Sequence, residues 1–179
     1  APAGSGGLAA PTAAVATYTG VDGNSFAEGQ LQINSVNVKA STDYAVAGDA
    51  SRDGTSAYAK AAAINASGIA GVTASATTQV TFSAVGGGDL FMDASSLAGS
   101  DGLAYTLMIN GEAIWTNTAV TSAGITIDEA IAAINSKQFD TGVVASKDES
   151  GNLVLTAKDG RNIQIQESIE FADGATDAD

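Results

Sequence analysis

Thr126-Ile127-Asp128-Glu129-Ala130-Ile131-Ala132-Ala133-Ile134-Asn135 decides the fold, together with what stands on either side of it. Thr126 and Glu129 have the Thr-x-x-Glu spacing of a capping box, which marks a helix start. Ile127, Ile131 and Ile134 fall at i, i+4 and i+7 and share one helical face. Asn135 stands where a C-cap belongs. Upstream, Leu107-Met108-Ile109-Asn110-Gly111 carries a two-residue hairpin signal, because Asn and Gly both tolerate positive φ. Downstream, Gly142-Val143-Val144-Ala145-Ser146 reads as a strand. Asn152-Leu153-Val154-Leu155 and Asn162-Ile163-Gln164-Ile165 follow as further strands. Asp148-Glu149-Ser150-Gly151 and Asp159-Gly160 are the turns between them.

The same order occurs earlier in the chain. Leu31, Ile33, Val36 and Val38 alternate around an Asn34-Ser35 turn. Asp53-Gly54-Thr55-Ser56 offers an N-cap, and Ala57 to Ile64 is a run of good helix formers. Asn65 again stands at the helix end, and Gly71-Val72-Thr73-Ala74-Ser75 and Gln79-Val80-Thr81-Phe82 read as strands. Asn34 and Asn110 are 76 positions apart, and Asn65 and Asn135 are 70 apart. Two repeats are too few for a solenoid and fit two related modules. The expected fold is α+β, mostly antiparallel β with two short helices, in two similar β-hairpin–helix–strand subdomains. The division expected is 1–28 linker and incoming strand, 29–90 first subdomain, 91–166 second subdomain and 167–179 acidic exit segment. Gly86-Gly87-Gly88 marks the break between the subdomains.

Composition limits the chemistry. The chain has 179 residues, seven basic and twenty acidic, for a net charge of −13. An acidic surface repels phosphate backbones and anionic lipid, which argues against nucleic-acid and membrane-surface binding. No run reaches the ~18–20 apolar residues of a membrane helix. Cysteine and histidine are both absent, so thiol nucleophiles, Cys-type zinc sites and every His-based mechanism are excluded. An enzyme would have to work with Asp, Glu, Lys, Ser or Tyr.

The few chemistry-like motifs have structural readings. Asp140-Thr141-Gly142 spells an aspartic-protease triplet, but that chemistry needs a second carboxylate sharing a proton, and no second triplet exists. Asp128-Glu129 sits in the first helical turn, where negative charge favours the helix dipole. Asp22-Gly23-Asn24 and Asp159-Gly160-Arg161-Asn162 resemble fragments of calcium loops but lack the full spacing and the distal Glu. Asn65-Ala66-Ser67 fits an N-glycosylation sequon, against its reading as a helix cap. Trp115, Tyr105 and Phe91 are read as core, with an exposed aromatic platform around Trp115 as the alternative. No catalytic residue, cofactor or metal is expected.

Ala61-Ala62-Ala63-Ile64-Asn65 followed by Gly71-Val72-Thr73-Ala74 resembles the Ile-Asn motif of bacterial flagellins and hook-associated proteins. Ala130-Ile131-Ala132-Ala133-Ile134-Asn135 followed by Gly142-Val143 is similar to a second copy. The preceding hairpin Ile109-Asn110-Gly111, the segment Gly151 to Thr156 and Asp159-Gly160-Arg161-Asn162-Ile163 extend the likeness. The residues that carry the resemblance are Ile33, Asn34, Ile64, Asn65, Gly71, Ile109, Asn110, Gly111, Ile134, Asn135 and Gly142. All are structural in this reading.

The resemblance implies the variable outer (D2/D3-type) region of a flagellar filament protein, which is structural and not an enzyme. It implies an extracellular location on the bacterial flagellum, neighbouring flagellin subunits as partners, and O-glycans or host surfaces as further contacts. With no initiator Met and no long amphipathic helix at either end, the chain reads as the outer part alone. Both ends are then expected on one side of the molecule. A domain of the filament cap or of a hook-associated protein is the alternative within the family. An extracellular adhesin or carbohydrate-binding module is the alternative outside it.

Overall fold

The computed structural model describes residues 14–18, 23–82, 103–120 and 125–171. The expected glycine break, Phe91 and most of the acidic exit segment lie outside these residues. Among the described residues, nine strands and three α-helices follow in chain order: β1 (Ala14–Tyr18), β2 (Gln32–Ile33), β3 (Val36–Asn37), α1 (Ala57–Ala66), β4 (Thr78–Phe82), β5 (Leu103–Ile109), β6 (Glu112–Val120), α2 (Ile127–Ser136), α3 (Gln138–Thr141), β7 (Val144–Lys147), β8 (Leu153–Ala157) and β9 (Ile163–Phe171). All strand pairings are antiparallel. The fold is α+β, as the alternation and helix signals predict.

β5 and β6 form the Asn110-Gly111 hairpin, with φ of 50° and 83° at its two turn residues. That backbone matches the right-handed twist of the flanking strands. β9 pairs along the other side of β5, and β1 pairs with β9, giving the order β1-β9-β5-β6. A second sheet has the order β4-β8-β7. β8 lies at its centre and is buried over Leu153, Val154, Leu155 and Ala157, consistent with its unbroken apolar run.

The incoming and outgoing strands are neighbours. Ala14 faces Glu167, and Ala16 faces Ile165. The described chain therefore starts and finishes on the same pair of strands.

β4 follows the first helix in sequence yet pairs with β8, which follows the second helix. Each of these two sheets thus takes strands from both halves of the chain, whereas β2 and β3 pair only with each other. Two apolar clusters result. The larger joins Phe82, Tyr105, Leu107, Ile109, Ile134, Val143, Ala145, Leu153, Leu155, Ala157, Ile163 and Ile165. The smaller joins Val38, Ala63 and Ile69, with Phe26, Ile33, Tyr44, Ile64 and Val72 packed around them.

The two longer helices start where the sequence signals them. Ser56 Oγ accepts from the Ala59 amide at 3.2 Å. Thr126 and Glu129 form a complete capping box, the Thr126 amide donating to Glu129 Oε2 at 2.8 Å. The helix ends differ from expectation. Asn65 and Asn135 lie inside the last turns, and the C-cap positions are Ser67 and Lys137. Their side chains are engaged elsewhere, so they do not close the helices. Two further details depart from the sequence reading. Gly71 lies in a turn and residues 72–75 form no strand, and Gln138–Thr141 forms an extra helical turn.

Candidate functional site

The motif residues converge on backbone, not on a cavity. Asn135 Nδ2 donates to the Ala145 carbonyl at 2.9 Å, and the Ala145 amide donates to Asn135 Oδ1 at 2.8 Å. The Asn side chain thus imitates one residue of a neighbouring strand. It fastens the end of α2 to β7 while Ile134, beside it, is fully buried in the larger core. Helix, strand and core are fixed at one point.

Asn65 makes the same ring. Its Nδ2 donates to the Ala74 carbonyl at 2.9 Å, and the Ala74 amide donates to its Oδ1 at 2.7 Å. In both places a glycine stands three residues before the clamped alanine. Gly71 has φ +74° and Gly142 has φ +70°. The left-handed turn reverses the chain so that the strand returns past the helix end. The environments differ. Asn65 is exposed and Asn135 half-buried, because the first clamp has no large apolar layer over it.

Gly142 has a second constraint. The Arg161 guanidinium lies against it so closely that a Cβ would collide with it. Arg161 Nη1 donates to the Thr141 carbonyl at 3.3 Å, and its Nη2 is paired with Asp159 at 2.8 Å. The Asn110 Nδ2 donates to that same Thr141 carbonyl at 2.8 Å. Asn110 also exchanges two bonds with Gln164, its amide donating to the Gln164 carbonyl at 2.9 Å and its Oδ1 accepting from the Gln164 amide at 2.8 Å. The hairpin tip, β9 and the end of α3 therefore meet at Asn110. Asn34 keeps the left-handed turn with φ 51°, but it is exposed, and Ile33 packs only against the smaller core.

The turn between β8 and β9 also holds the first half of the chain. The Gly160 carbonyl accepts from the Tyr58 amide at 2.8 Å, in the first turn of α1. The Asn162 amide donates to the Ser51 carbonyl at 2.6 Å. Asp53 Oδ1 accepts from the Thr55 amide and hydroxyl at 2.9 and 2.6 Å. Sequence reading weighed Asp159-Gly160-Arg161-Asn162 as a turn against a calcium-loop fragment, and as part of the family likeness. Its docking on residues 51–58 joins positions a hundred apart, and no local signal announces such a contact.

The chemistry-like motifs resolve into structure. Thr141 of the Asp140-Thr141-Gly142 triplet is buried, its hydroxyl accepting from the Val143 amide at 3.1 Å. Asp148 closes its turn by accepting from the Ser150 and Asn152 amides at 2.9 and 2.8 Å. Trp115 packs against the larger core, its ring centroid 6.0 Å from that of Tyr105. It is a half-buried core residue, not an open platform. Among the described residues, no group of three or more acidic side chains is placed to hold a metal, and no helix is long and apolar enough to cross a membrane.

The amide groups of Asn65, Asn110 and Asn135 are all engaged with backbone, and the buried isoleucines beside two of them anchor the layers. Residues 106–159 match the family model described as the flagellin hook IN motif, and over that segment the chain is similar to flagellin- and hook-type structural proteins.

Proposed function

We propose that this chain is a surface-exposed outer domain of a bacterial flagellar filament protein, with a purely structural role. The observation that carries the reading is the match over residues 106–159. The placement of Ile134, Asn135 and Gly142 as the fixed corner of that segment supports it. The paired β1 and β9 strands add support, because adjacent incoming and outgoing strands suit a domain that projects from a longer body. The domain would give the filament its acidic outer face, shape its antigenicity, and supply any adhesive contact or glycan-bearing surface. A net charge of −13 suits dense display of one surface beside copies of itself. Neighbouring subunits of the filament are the proposed partners, and the location is the extracellular flagellum.

In this reading the segment from Ile33 to Ala74 is a second, reduced copy of the motif. The identical rings at Asn65 and Asn135, the left-handed Gly71 and Gly142, and the matching hairpin tips at Asn34 and Asn110 all support that. The two apolar clusters support a division into subdomains near 29–90 and 91–166, with β4 contributed across the division to β8. A domain of the filament cap or of a hook-associated protein would show the same motif and remains the second reading.

Fractionation tests the proposal. Flagella sheared from cells that carry the gene should contain the protein as a major band on immunoblotting. A minor band enriched with hooks or tips would favour the second reading. Absence from sheared flagella, with the protein present in other fractions, would overturn both.

A further inference from the structure

Along β9, Ile163, Ile165, Glu167 and Ile169 alternate onto one face. The two isoleucines at the start are fully buried, and Ile169 packs against the larger core. Glu167 is therefore a carboxylate on the apolar side of the sheet. Its backbone stands between Ala14 of β1 and Leu107 of β5. The hydroxyl of Tyr105, itself buried, donates to Glu167 Oε2 at 2.8 Å.

Among the described residues, no cation compensates this charge. The seven basic residues of the chain are Lys39, Arg52, Lys60, Lys137, Lys147, Lys158 and Arg161, and none lies on β1, β9, β5 or β6. The ionisable groups on surrounding elements are few. β1 carries only Tyr18, at the far end opposite Ile163. β5 carries only Tyr105. β6 carries only Glu112, exposed beside the hairpin tip. β4 and β8 carry none. β7 carries Lys147, paired with Asp128 of α2 at 2.6 Å. Glu170 follows on the opposite face of β9.

We propose that Glu167 is a proton-operated latch at the root of the domain, where the incoming and outgoing strands pair. Ionised, it places an uncompensated charge between β1 and β5 and loosens the ladder. Protonated, it removes that charge from the apolar face and the three strands tighten. Burial, partly offset by the Tyr105 hydrogen bond, raises its pKa from the ordinary glutamate value. A raised carboxylate pKa in the fold means that protonation favours the folded state. The latch strengthens as pH falls through the folded pKa and is fully set below the unfolded value. This inference rests on the four-stranded sheet alone and stands or falls independently of the flagellar reading.

Amide hydrogen exchange on the intact chain and on Glu167→Gln tests it, at pH 5 and pH 8 and corrected for intrinsic exchange rates. In the wild type, amides of β1, β9 and β5 should be better protected at pH 5 than at pH 8, by a factor that grows with the elevation of the Glu167 pKa and reaches its full size only below the unfolded pKa. In E167Q that pH dependence should vanish from these strands while β7 and β8 are unchanged. Equal wild-type protection at both pH values would overturn the proposal, as would a dependence that survives in E167Q. If E167Q does not fold, carboxyl-carbon NMR titration of the wild type decides. A Glu167 pKa at or below the unfolded value overturns the latch, and a raised one, shifted again in Tyr105→Phe, supports it.

Discussion

Asn135 and Ala145 close a ring of two hydrogen bonds, side-chain amide against backbone amide, at 2.9 and 2.8 Å. Asn65 and Ala74 repeat it at 2.9 and 2.7 Å. Asn suits this task because it offers one donor and one acceptor in a plane, with the geometry of a peptide group. Asp keeps the acceptor and loses the donor. Ala loses both and leaves two strand groups without their partner.

Replacing Asn135 by Ala should cost about 1–3 kcal/mol, since the ring lies half-buried against the core and its backbone partners lose their bonds. Asn65→Ala should cost only about 0.5–1 kcal/mol, because water reaches the exposed groups it frees. Urea unfolding of both variants measures the difference. Equal costs would show that burial does not set the value of the clamp.

The glycine corners separate in the same way. Gly142→Ala faces both a left-handed backbone and the Arg161 guanidinium, whereas Gly111→Ala, with φ +83°, meets open space. Gly111→Ala should cost about 1 kcal/mol, the penalty for a Cβ in the left-handed region. Gly142→Ala should cost more, and Arg161→Ala in the same chain should recover part of the excess. Thermal melts of the two single variants and the double variant give the coupling. Additive effects would mean that Arg161 does not press on Gly142.

Acid should weaken the turns and caps. The Thr126 amide and hydroxyl hold the Glu129 carboxyl below its ordinary pKa, and the Asn152 amide and side chain do the same for Asp148. A depressed folded pKa stabilises above the unfolded value and loses that contribution as pH falls through the folded one. Stability should therefore decline below about pH 4. Glu129→Gln with Asp148→Asn should flatten that decline, read as melting temperature against pH. An acid limb unchanged in the double variant would place the acid-sensitive groups elsewhere.

The paired ends give a covalent test. Val15 and Gln166 are direct partners across β1 and β9, and the chain has no cysteine of its own. Cross-strand partners lie within reach of a disulfide. Val15→Cys with Gln166→Cys should form an intrachain bridge under mild oxidation, seen as a mobility shift without reductant. Failure to bridge would separate the incoming strand from the outgoing one.

Much of the second half of the fold was readable in sequence. Thr126 and Glu129 announced the helix start, Asn110-Gly111 the hairpin, and the alternation in Ile163-Gln164-Ile165 the strand, because each signal is local. The role of Asn135 was not readable as a clamp. A side chain at a helix end signals a cap, and only the strand returning past Gly142 reveals its partner. The hold of Arg161 on Gly142 and the pairing of β4 with β8 were equally hidden, being contacts between distant segments. Glu167 stood in an apparent acidic exit segment. Its place on a core-facing row appeared only when β9 proved to run unbroken from Ile163 to Phe171.

The central claim is that this domain lies on the outside of a flagellar filament. Immunogold electron microscopy, with antibody raised to this chain and applied to intact cells, tests it most directly. The account predicts gold along the whole filament. Gold absent from the flagella, with label elsewhere on the cell surface, would contradict it.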